Sequence, residues 1–589
     1  MSDLHHRLPR LRTALADTGL DGFVLPRADE FLGEYVPACS ERLAWLTGFT
    51  GSAGLAVVLR DRAAVFSDGR YITQLEQQLD PSLWEALHMT RTPPADWIAE
   101  HAKGGRIGYD PRLMSAASLA PFEARGIELV AVKANPVDPL WNDRPAAPHG
   151  PALRHPLDHA GEASADKRAR IAQALRAAGD DGAILGDPAS VAWLLNIRGT
   201  DVPYTPLLLA FAAIDADAGV DLFVDPGRLD AETNAWLGDV RLHAPEDLPN
   251  WLSRQTGRTV RVDPSATSVW FAQRLEAHGA RVRHDSDPCL LPKARKNAVE
   301  IDGARSAHRK DAVAVCRFLA WVSRHGRGVG EAALADRLDA FRRDEPTYRG
   351  ESFAAISGTG PNGAIIHYRA RAGRDRVMAA DEIYLIDSGG QYPEGTTDIT
   401  RSIWTGPGVP PEGLREVYTR VLKGNLALGA ATFPTGTTGH RLDTLARHSL
   451  WEAGLDYDHG TGHGIGSYLS VHEGPCNISA SPRPVPLEPG MIISNEPGFY
   501  RPGAFGMRLE TLLLVTPSDA GQDGRSFLRF ETLTHVPWDR ALIDVTLLTQ
   551  NECHALNIYH AAVAELVLPF LNDEEKQWIM DACSPLSAG

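Results

Sequence analysis

Four carboxylates in the C-terminal half of the chain stand where strand-forming sequence does not welcome them. In DEIYLIDSGGQYPEGTTDITRSIW, from Asp381 to Trp404, Asp387 ends one apolar run and Asp398 sits inside the next. In GMIISNEPGFY and FGMRLETLLLV, Glu496 closes one run and Glu510 lies inside another, with Arg508 on the same face at period two. Asp is disfavoured in strands, and a carboxylate among Ile, Leu and Tyr is costly unless a cation neutralises it. Between the two pairs, HGTGHGIGSYLSVHEGP carries His459, His463 and His472 among glycines that permit close backbone approach. Any one of these residues alone reads as an ion-paired or structural side chain. Five candidate ligands within the 124 residues from Asp387 to Glu510 do not read as solvated charges. Four strand-borne carboxylates and one imidazole suffice for two divalent ions about 3.5 Å apart, an arrangement that activates a bridging water and clamps a developing oxyanion. Oxygen-rich ligation with one nitrogen suits Mn, Co, Fe or Zn better than Mg alone, and no thiolate is offered to a softer metal.

These residues need a scaffold, and 589 residues are too many for one hydrophobic core. Leu8, Leu11 and Leu15 repeat at helical spacing, and GFVLP, AGLAVVL and RAAVF read as strands, so the chain opens on an α/β or α+β unit. KRARIAQALRAAGDDGAIL echoes LPRLRTALADTGLDGFVL, and VAWLLNIRG echoes LAWLTGFTG, aligning Asp21-Gly22 with Asp181-Gly182 and Trp45 with Trp193. The order of features points to a duplicated domain. NPVDPLWNDRPAAPHGP, from Asn135 to Pro151, reads as an irregular linker between the copies. After LLPKARKN a long helical pattern runs from Ala298 through Val322. The expected parts are therefore 1–150, 151–296 and 297–589.

A formal charge of −16 argues against nucleic acid as a partner. With no apolar run of about 18 residues and no secretory leader at the N-terminus, the expectation is a cytoplasmic protein without membrane contact. Six cysteines at irregular spacing, with no C-x-x-C pair, are expected to be buried and inert. GTGPNG satisfies G-x-G-x-x-G in form only, because Pro361 interrupts it and the strand-like AIIHY follows where a helix should begin. AVAELVLPFL, from Ala562 to Leu571, is apolar at helical spacing and suits packing or a dimer contact.

The segment from Asn362 to Val515 resembles the aminopeptidase P and methionine aminopeptidase superfamily, through PNGAIIHY, YLIDSGGQY…GTTDITR, GHGTGHGIGSYLSVHEGP, MIISNEPGFY and GAFGMRLE. EYVPACSERLAWLTGFTGSAG and SDGRY resemble the long, three-domain form of X-prolyl aminopeptidase. The resemblance implies two related creatinase-like domains followed by a C-terminal pita-bread catalytic domain. It assigns Asp387 to one metal, His463 and Glu496 to the other, and Asp398 and Glu510 to a bridge between them. It makes Glu496 the acceptor of a proton from a bridging hydroxide, places His472 on the scissile carbonyl oxygen, and sets His367 and His459 in the substrate wall. His367 thereby joins Glu496 and His472 among the catalytic candidates, and Arg508 joins the substrate-binding set. The implied cofactors are two divalent ions, manganese first and cobalt or zinc as alternatives. The implied partners are peptides with proline second and another copy in a homodimer, with Glu34 or Arg70 approaching the peptide. Rival readings are a prolidase restricted to dipeptides, a metal-free creatinase-type hydrolase, and a peptide-binding module without activity. Retention of all five ligands disfavours the last two.

Overall fold

A computed structural model describes residues 4–522 and 524–587. The chain divides into two compact units, Met1–Pro156 with Glu162–Leu290, and Leu157–Gly161 with Leu291–Gly589.

The first unit carries the same design twice. Helix α1 (Leu4–Asp17) buries Leu8, Leu11 and Leu15 and leads into a six-stranded sheet of β1 (Gly22–Pro26), β2 (Leu55–Leu59), β3 (Ala63–Ser67), β4 (Glu85–His88), β5 (Arg106–Tyr109) and β6 (Glu128–Ala131). Its order is β4-β3-β2-β1-β5-β6. Helix α2 (Ser164–Ala178) leads into a second sheet of β7 (Gly182–Leu185), β8 (Phe211–Asp215), β9 (Val220–Phe223), β10 (Arg241–His243), β11 (Thr259–Val262) and β12 (Arg281–His284), ordered β10-β9-β8-β7-β11-β12. In both, the first strand pairs antiparallel on one side and parallel on the other. Chemistry at the aligned positions matches too. Asp21 accepts from the Arg106 amide and Asp181 from the Thr259 amide, each at 2.7 Å and each at the start of the parallel neighbour. Trp45 and Trp193 lie on the short helices Arg42–Thr47 and Pro188–Leu195.

The linker expectation needs correction. Asn135–Pro151 holds only one 3₁₀ turn (Asp138–Leu140), yet Val137 and Trp141 are buried in the first core. Trp141 stacks on Trp45 at 5.7 Å, and Asp138 pairs with the buried Arg42 at 2.7 Å. Lack of regular hydrogen bonding is what the prolines dictate; attachment to the core comes from the apolar residues between them.

The second unit is built around helix α3 (Ala298–His325), started by an Asn297–Glu300 capping box. Its apolar face, including Phe318, Leu319 and Val322, packs on helix α4 (Glu331–Arg343) and on Tyr384 and Ile386 of a three-stranded antiparallel sheet. That sheet comprises β13 (Ile356–Thr359), β14 (Ile383–Ser388) and β15 (Ile399–Trp404). Helices α5 (Glu412–Gly429) and α6 (Gly439–Trp451) cover a six-stranded antiparallel sheet. Its strands are β16 (Thr432–Pro434), β17 (Gly462–Gly464), β18 (Glu473–Ile478), β19 (Ile492–Asn495), β22 (Thr511–Ser518) and β23 (Phe527–Thr532), in the order β16-β23-β22-β19-β17-β18. The hairpin β20 (Gly498–Arg501) and β21 (Phe505–Arg508) is inserted between β19 and β22. Helices α7 (Gln550–Val567) and α8 (Asp573–Ala582) return to α3, burying Val563, Val567, Leu571 and Ile579. Packing thus accounts for most of the apolar AVAELVLPFL segment. All six cysteines are buried.

AIIHY is not a strand. Gly360–Ala364 forms a 3₁₀ turn and residues 365–367 continue as a bend and turn. The cause is Glu331 at the start of α4, whose buried carboxylate gathers Asn362 and Tyr368 and folds the segment over itself.

Candidate metal centre

Of the four singled-out carboxylates only Asp387 lies within a strand, in β14 opposite Ile356 and Thr400. Asp398 immediately precedes β15, Glu496 follows β19, and Glu510 occupies a two-residue gap between β21 and β22. The expectation of strand-borne acids therefore holds for one residue in four. A break in the ladder lets a carboxylate turn inward without the penalty Asp and Glu meet inside a strand. His463 lies in β17, beside a shift of register against β18.

These positions converge. Ligand-type atoms of Asp398, His463 and Glu510 all lie within 4.8 Å of one another. His463 Nε2 is 3.5 Å from Asp398 Oδ2 and 3.3 Å from Glu496 Oε1. Its Nδ1 lies 3.1 Å from the Gly464 carbonyl, which can only accept, so the proton sits on Nδ1 and Nε2 faces the carboxylates. Such an Nε2 needs either a second proton or a cation. Asp387 Oδ1 and Glu510 Oε1 are buried without a hydrogen-bond partner. Buried carboxylate oxygens are normally satisfied, and two orphans in one cluster fit ligands of a cation.

The electrostatics carry the same message. Burial pushes Glu510 far above the usual carboxylate range, and Asp398, Glu496 and Asp387 push in the same direction. Asp387 rises to about 6 through burial, against the pull of Arg508. Glu496 meets the same burial penalty, but His463 outweighs it and holds it down to about 2. Burial disfavours a charged His463, yet Asp398 and Glu496 raise it well above its ordinary value. The cluster holds more negative charge than its own side chains neutralise, which suits a site for cations.

Around this centre the protein supplies fixed supports. Thr400 Oγ1 donates to Glu510 Oε2 at 2.8 Å, and Ser494 Oγ to Glu496 Oε1 at 2.9 Å. Arg508 donates through Nη2 to Asp387, through Nη1 to the Tyr500 hydroxyl at 2.7 Å and through Nε to Thr400 at 3.2 Å. Tyr500 lies 2.9 Å from His459 Nε2, while His459 Nδ1 faces the Gly460 carbonyl at 2.8 Å. Burial drops His459 to about 4, so it is a neutral ring that accepts from Tyr500. His472 is exposed and stands edge-to-face with His463 at 4.3 Å. His367 is half-buried in the turn after the 3₁₀ segment. That segment rests on the Arg508 strand so closely that a Cβ on Gly506 would meet the Gly363 carbonyl at 2.0 Å.

Models of known families match almost the whole chain. "Metallopeptidase family M24" covers 302–517, "Creatinase/Prolidase N-terminal domain" matches twice, at 7–139 and 143–300, and the C-terminal region of peptidase M24 covers 526–586. Aminopeptidase P1 of Lotus japonicus is 36% identical, over 99% of this chain and 100% of its own length. A probable Xaa-Pro aminopeptidase P of Botryotinia fuckeliana is 37% identical, over 98% and 92%. The crystal structure of X-prolyl aminopeptidase from Caenorhabditis elegans, described as a cytosolic enzyme with a di-nuclear active site, superimposes with a TM-score of 0.93 at 32% identity, covering 99% of this chain and 100% of that one.

This chain belongs to the aminopeptidase P family of M24 metallopeptidases. The two creatinase-like domains and the pita-bread catalytic domain expected from the sequence stand. A prolidase from Pyrococcus horikoshii covers only 63% of this aminopeptidase P chain, at a TM-score of 0.51 and 22% identity, and shares the fold alone. Several residues of the site escaped the sequence reading: Tyr500, Thr400, Ser494, Glu331 and the triad of Glu473 with Lys293 and Lys296. Glu473 follows His472 and accepts from Lys293 at 2.9 Å and Lys296 at 2.5 Å, all three buried. Tyr500 and Glu473 lay inside motifs already quoted, but uncharged or apparently solvated neighbours of a motif carry no spacing signal of their own.

Proposed function

We propose that this chain is a two-metal aminopeptidase that hydrolyses the first peptide bond of substrates with proline in the second position. The observation that carries the reading is the convergence of His463, the half-buried Glu496 and three buried carboxylates, two of these with orphaned oxygens, in a chain aligned end to end with aminopeptidases P. In this reading Asp387 holds one ion, His463 and Glu496 the other, and Asp398 and Glu510 both. Two divalent ions bound there supply an activated water and an electrophilic anchor for the carbonyl oxygen. Glu496 accepts the proton of the attacking water and passes it to the departing proline nitrogen. His472, exposed beside His463, donates to the carbonyl oxygen as charge develops there. His367 lines the peptide path and His459 backs it through Tyr500. Arg508, expected to touch substrate, has Nε, Nη1 and Nη2 each engaged by the protein, and in this reading it holds Asp387 in place.

We assign manganese as the working metal, with cobalt or zinc able to replace it, on the family resemblance; four carboxylates and one imidazole are compatible with all three. We assign 1–150 and 151–296 to the creatinase-like domains and 297–589 to the catalytic domain with its C-terminal extension; the repeated sheet order supports the first division. We further propose a cytoplasmic homodimer. The location is supported by the similar Caenorhabditis elegans enzyme, described as cytosolic, and the dimer by Phe570, an exposed apolar residue of AVAELVLPFL. The substrate class is tested by comparing Arg-Pro-Pro with Ala-Pro under saturating Mn2+. Release of arginine from the tripeptide supports the aminopeptidase; cleavage of the dipeptide with the tripeptide untouched assigns a prolidase.

A further inference from the structure

We propose that the C-terminal region of the catalytic unit holds the metal centre in register through Arg401, acting as a positioning residue for Glu510; the inference rests on the ligand assignment above. Arg401, on β15, is 1% exposed. Its guanidinium reaches three separate stretches of chain. Nη1 donates to the carbonyl oxygens of Thr400 at 2.8 Å and Glu510 at 2.6 Å. Nη2 donates to Val536 O at 2.7 Å and the Tyr559 hydroxyl at 3.0 Å, and Nε lies 3.3 Å from Val536 O and 3.2 Å from Pro537 O. The ring of Trp538 lies 3.7 Å beneath it.

Every acceptor in this cage is neutral. A buried guanidinium without a carboxylate in its fork forgoes the strongest pairing open to it, so its energy comes from carbonyl dipoles and from stacking. What the arrangement provides is geometry, because the planar fork joins fixed directions that an ammonium cannot reproduce. On one side it grips the peptide carrying Glu510, which sits in the gap between β21 and β22. On the other it grips 536–538, held in turn by Tyr559 of α7, whose hydroxyl accepts from the Val536 amide at 3.2 Å and contacts the Val536 carbonyl at 2.8 Å. The Glu510 amide donates to Thr400 O at 3.3 Å, and Thr400 Oγ1 fixes Glu510 Oε2, leaving the orphaned Oε1 for a ligand. The residues that form the cage, from Val536 to Tyr559, lie inside the segment that matches the C-terminal region of peptidase M24.

The test uses the full chain, stripped with chelator and titrated with Mn2+ in a calorimeter, as wild type, Arg401→Lys and Tyr559→Phe. Groups that orient metal ligands typically change affinity by about 10- to 100-fold. Arg401→Lys is expected to weaken at least one of two sites by about tenfold or more, and Tyr559→Phe to weaken the same site by about threefold. The metal-free Tyr559→Phe protein is expected to unfold in one cooperative transition no more than a few degrees below wild type, so lost affinity is not general unfolding. Excess Mn2+ should restore kcat with KM unchanged. Should Arg401→Lys fail to fold, Tyr559→Phe decides alone. Wild-type affinities at both sites in the folded variants overturn the inference while leaving the metal centre intact. A wild-type protein that takes up no metal overturns the ligand assignment, and this inference with it.

Discussion

Replacing Glu331 with Gln should loosen the peptide-binding side of the centre without disturbing the metals. Glu331 is fully buried, and its carboxylate accepts from five groups. Oε1 takes the Thr359 amide at 2.7 Å, the Thr359 hydroxyl at 3.0 Å and Asn362 at 3.2 Å; Oε2 takes Asn362 at 2.9 Å, Tyr368 at 2.7 Å and the Arg376 amide at 3.0 Å. Gln keeps the volume but turns one oxygen into a donor. If the amide replaces Oε2, Tyr368 can rotate to accept, whereas the Arg376 N–H has no alternative role. One buried donor then faces another, costing about 1–3 kcal/mol, and the remaining bonds lose charge assistance worth about 1 kcal/mol each. A local cost of about 4–6 kcal/mol falls on the segment that carries His367 and adjoins the Arg508 strand. Misplacing a substrate-contacting group by about 1 Å costs on the order of 100-fold. Steady-state hydrolysis of Arg-Pro-Pro should show kcat/KM down about 100-fold, mostly through KM, with Mn2+ affinity unchanged by calorimetry. A folded variant with kcat/KM within about threefold of wild type would refute the reasoning.

Three further outcomes follow from other groups. Glu473→Gln leaves Lys293 and Lys296 buried against a neutral partner, and breaking such a pairing costs about 3–5 kcal/mol; a thermal midpoint within a degree of wild type would show the triad to be dispensable. Glu496→Gln should still bind peptide but turn over orders of magnitude more slowly, and near-normal kcat would strip Glu496 of its role as base. His308 is wholly buried and pushed down to about 4 by desolvation. Between pH 6.5 and about 4 the unfolded chain binds a proton that the native state refuses, so stability present at neutral pH falls on acidification, by up to about 3 kcal/mol for this group. His308→Leu should flatten the pH dependence of the thermal midpoint over that interval; parallel curves would contradict the assignment.

Much of the centre was legible because acids and imidazoles in apolar or glycine-rich sequence are costly and therefore conspicuous. Asp387, Asp398, Glu496 and Glu510 stood out by residue type and setting, whereas His463 was set apart from His459 and His472 only by the family resemblance. The placement of Asp398, Glu496 and Glu510 at strand ends was not legible: the apolar run continues through Leu509 although the ladder stops between Arg508 and Thr511, and β15 begins only at Ile399, after Asp398. The duplication was visible in aligned Asp-Gly and Trp positions and appears in space as the same strand order and the same Asp-to-amide bond. The turn around His367 was misread as a strand because AIIHY has strand composition, and the carboxylate that bends it lies over thirty residues away in sequence. Arg401 and Tyr500 were silent for a similar reason: their partners are backbone carbonyls and distant side chains, which leave no periodicity in the chain.

Metal content and activity measured together test the central claim most directly. Protein dialysed against chelator should lose hydrolysis of Arg-Pro-Pro, and adding Mn2+ should restore it as uptake reaches two ions per chain by mass spectrometry. Undiminished cleavage by protein shown to be metal-free would contradict the account.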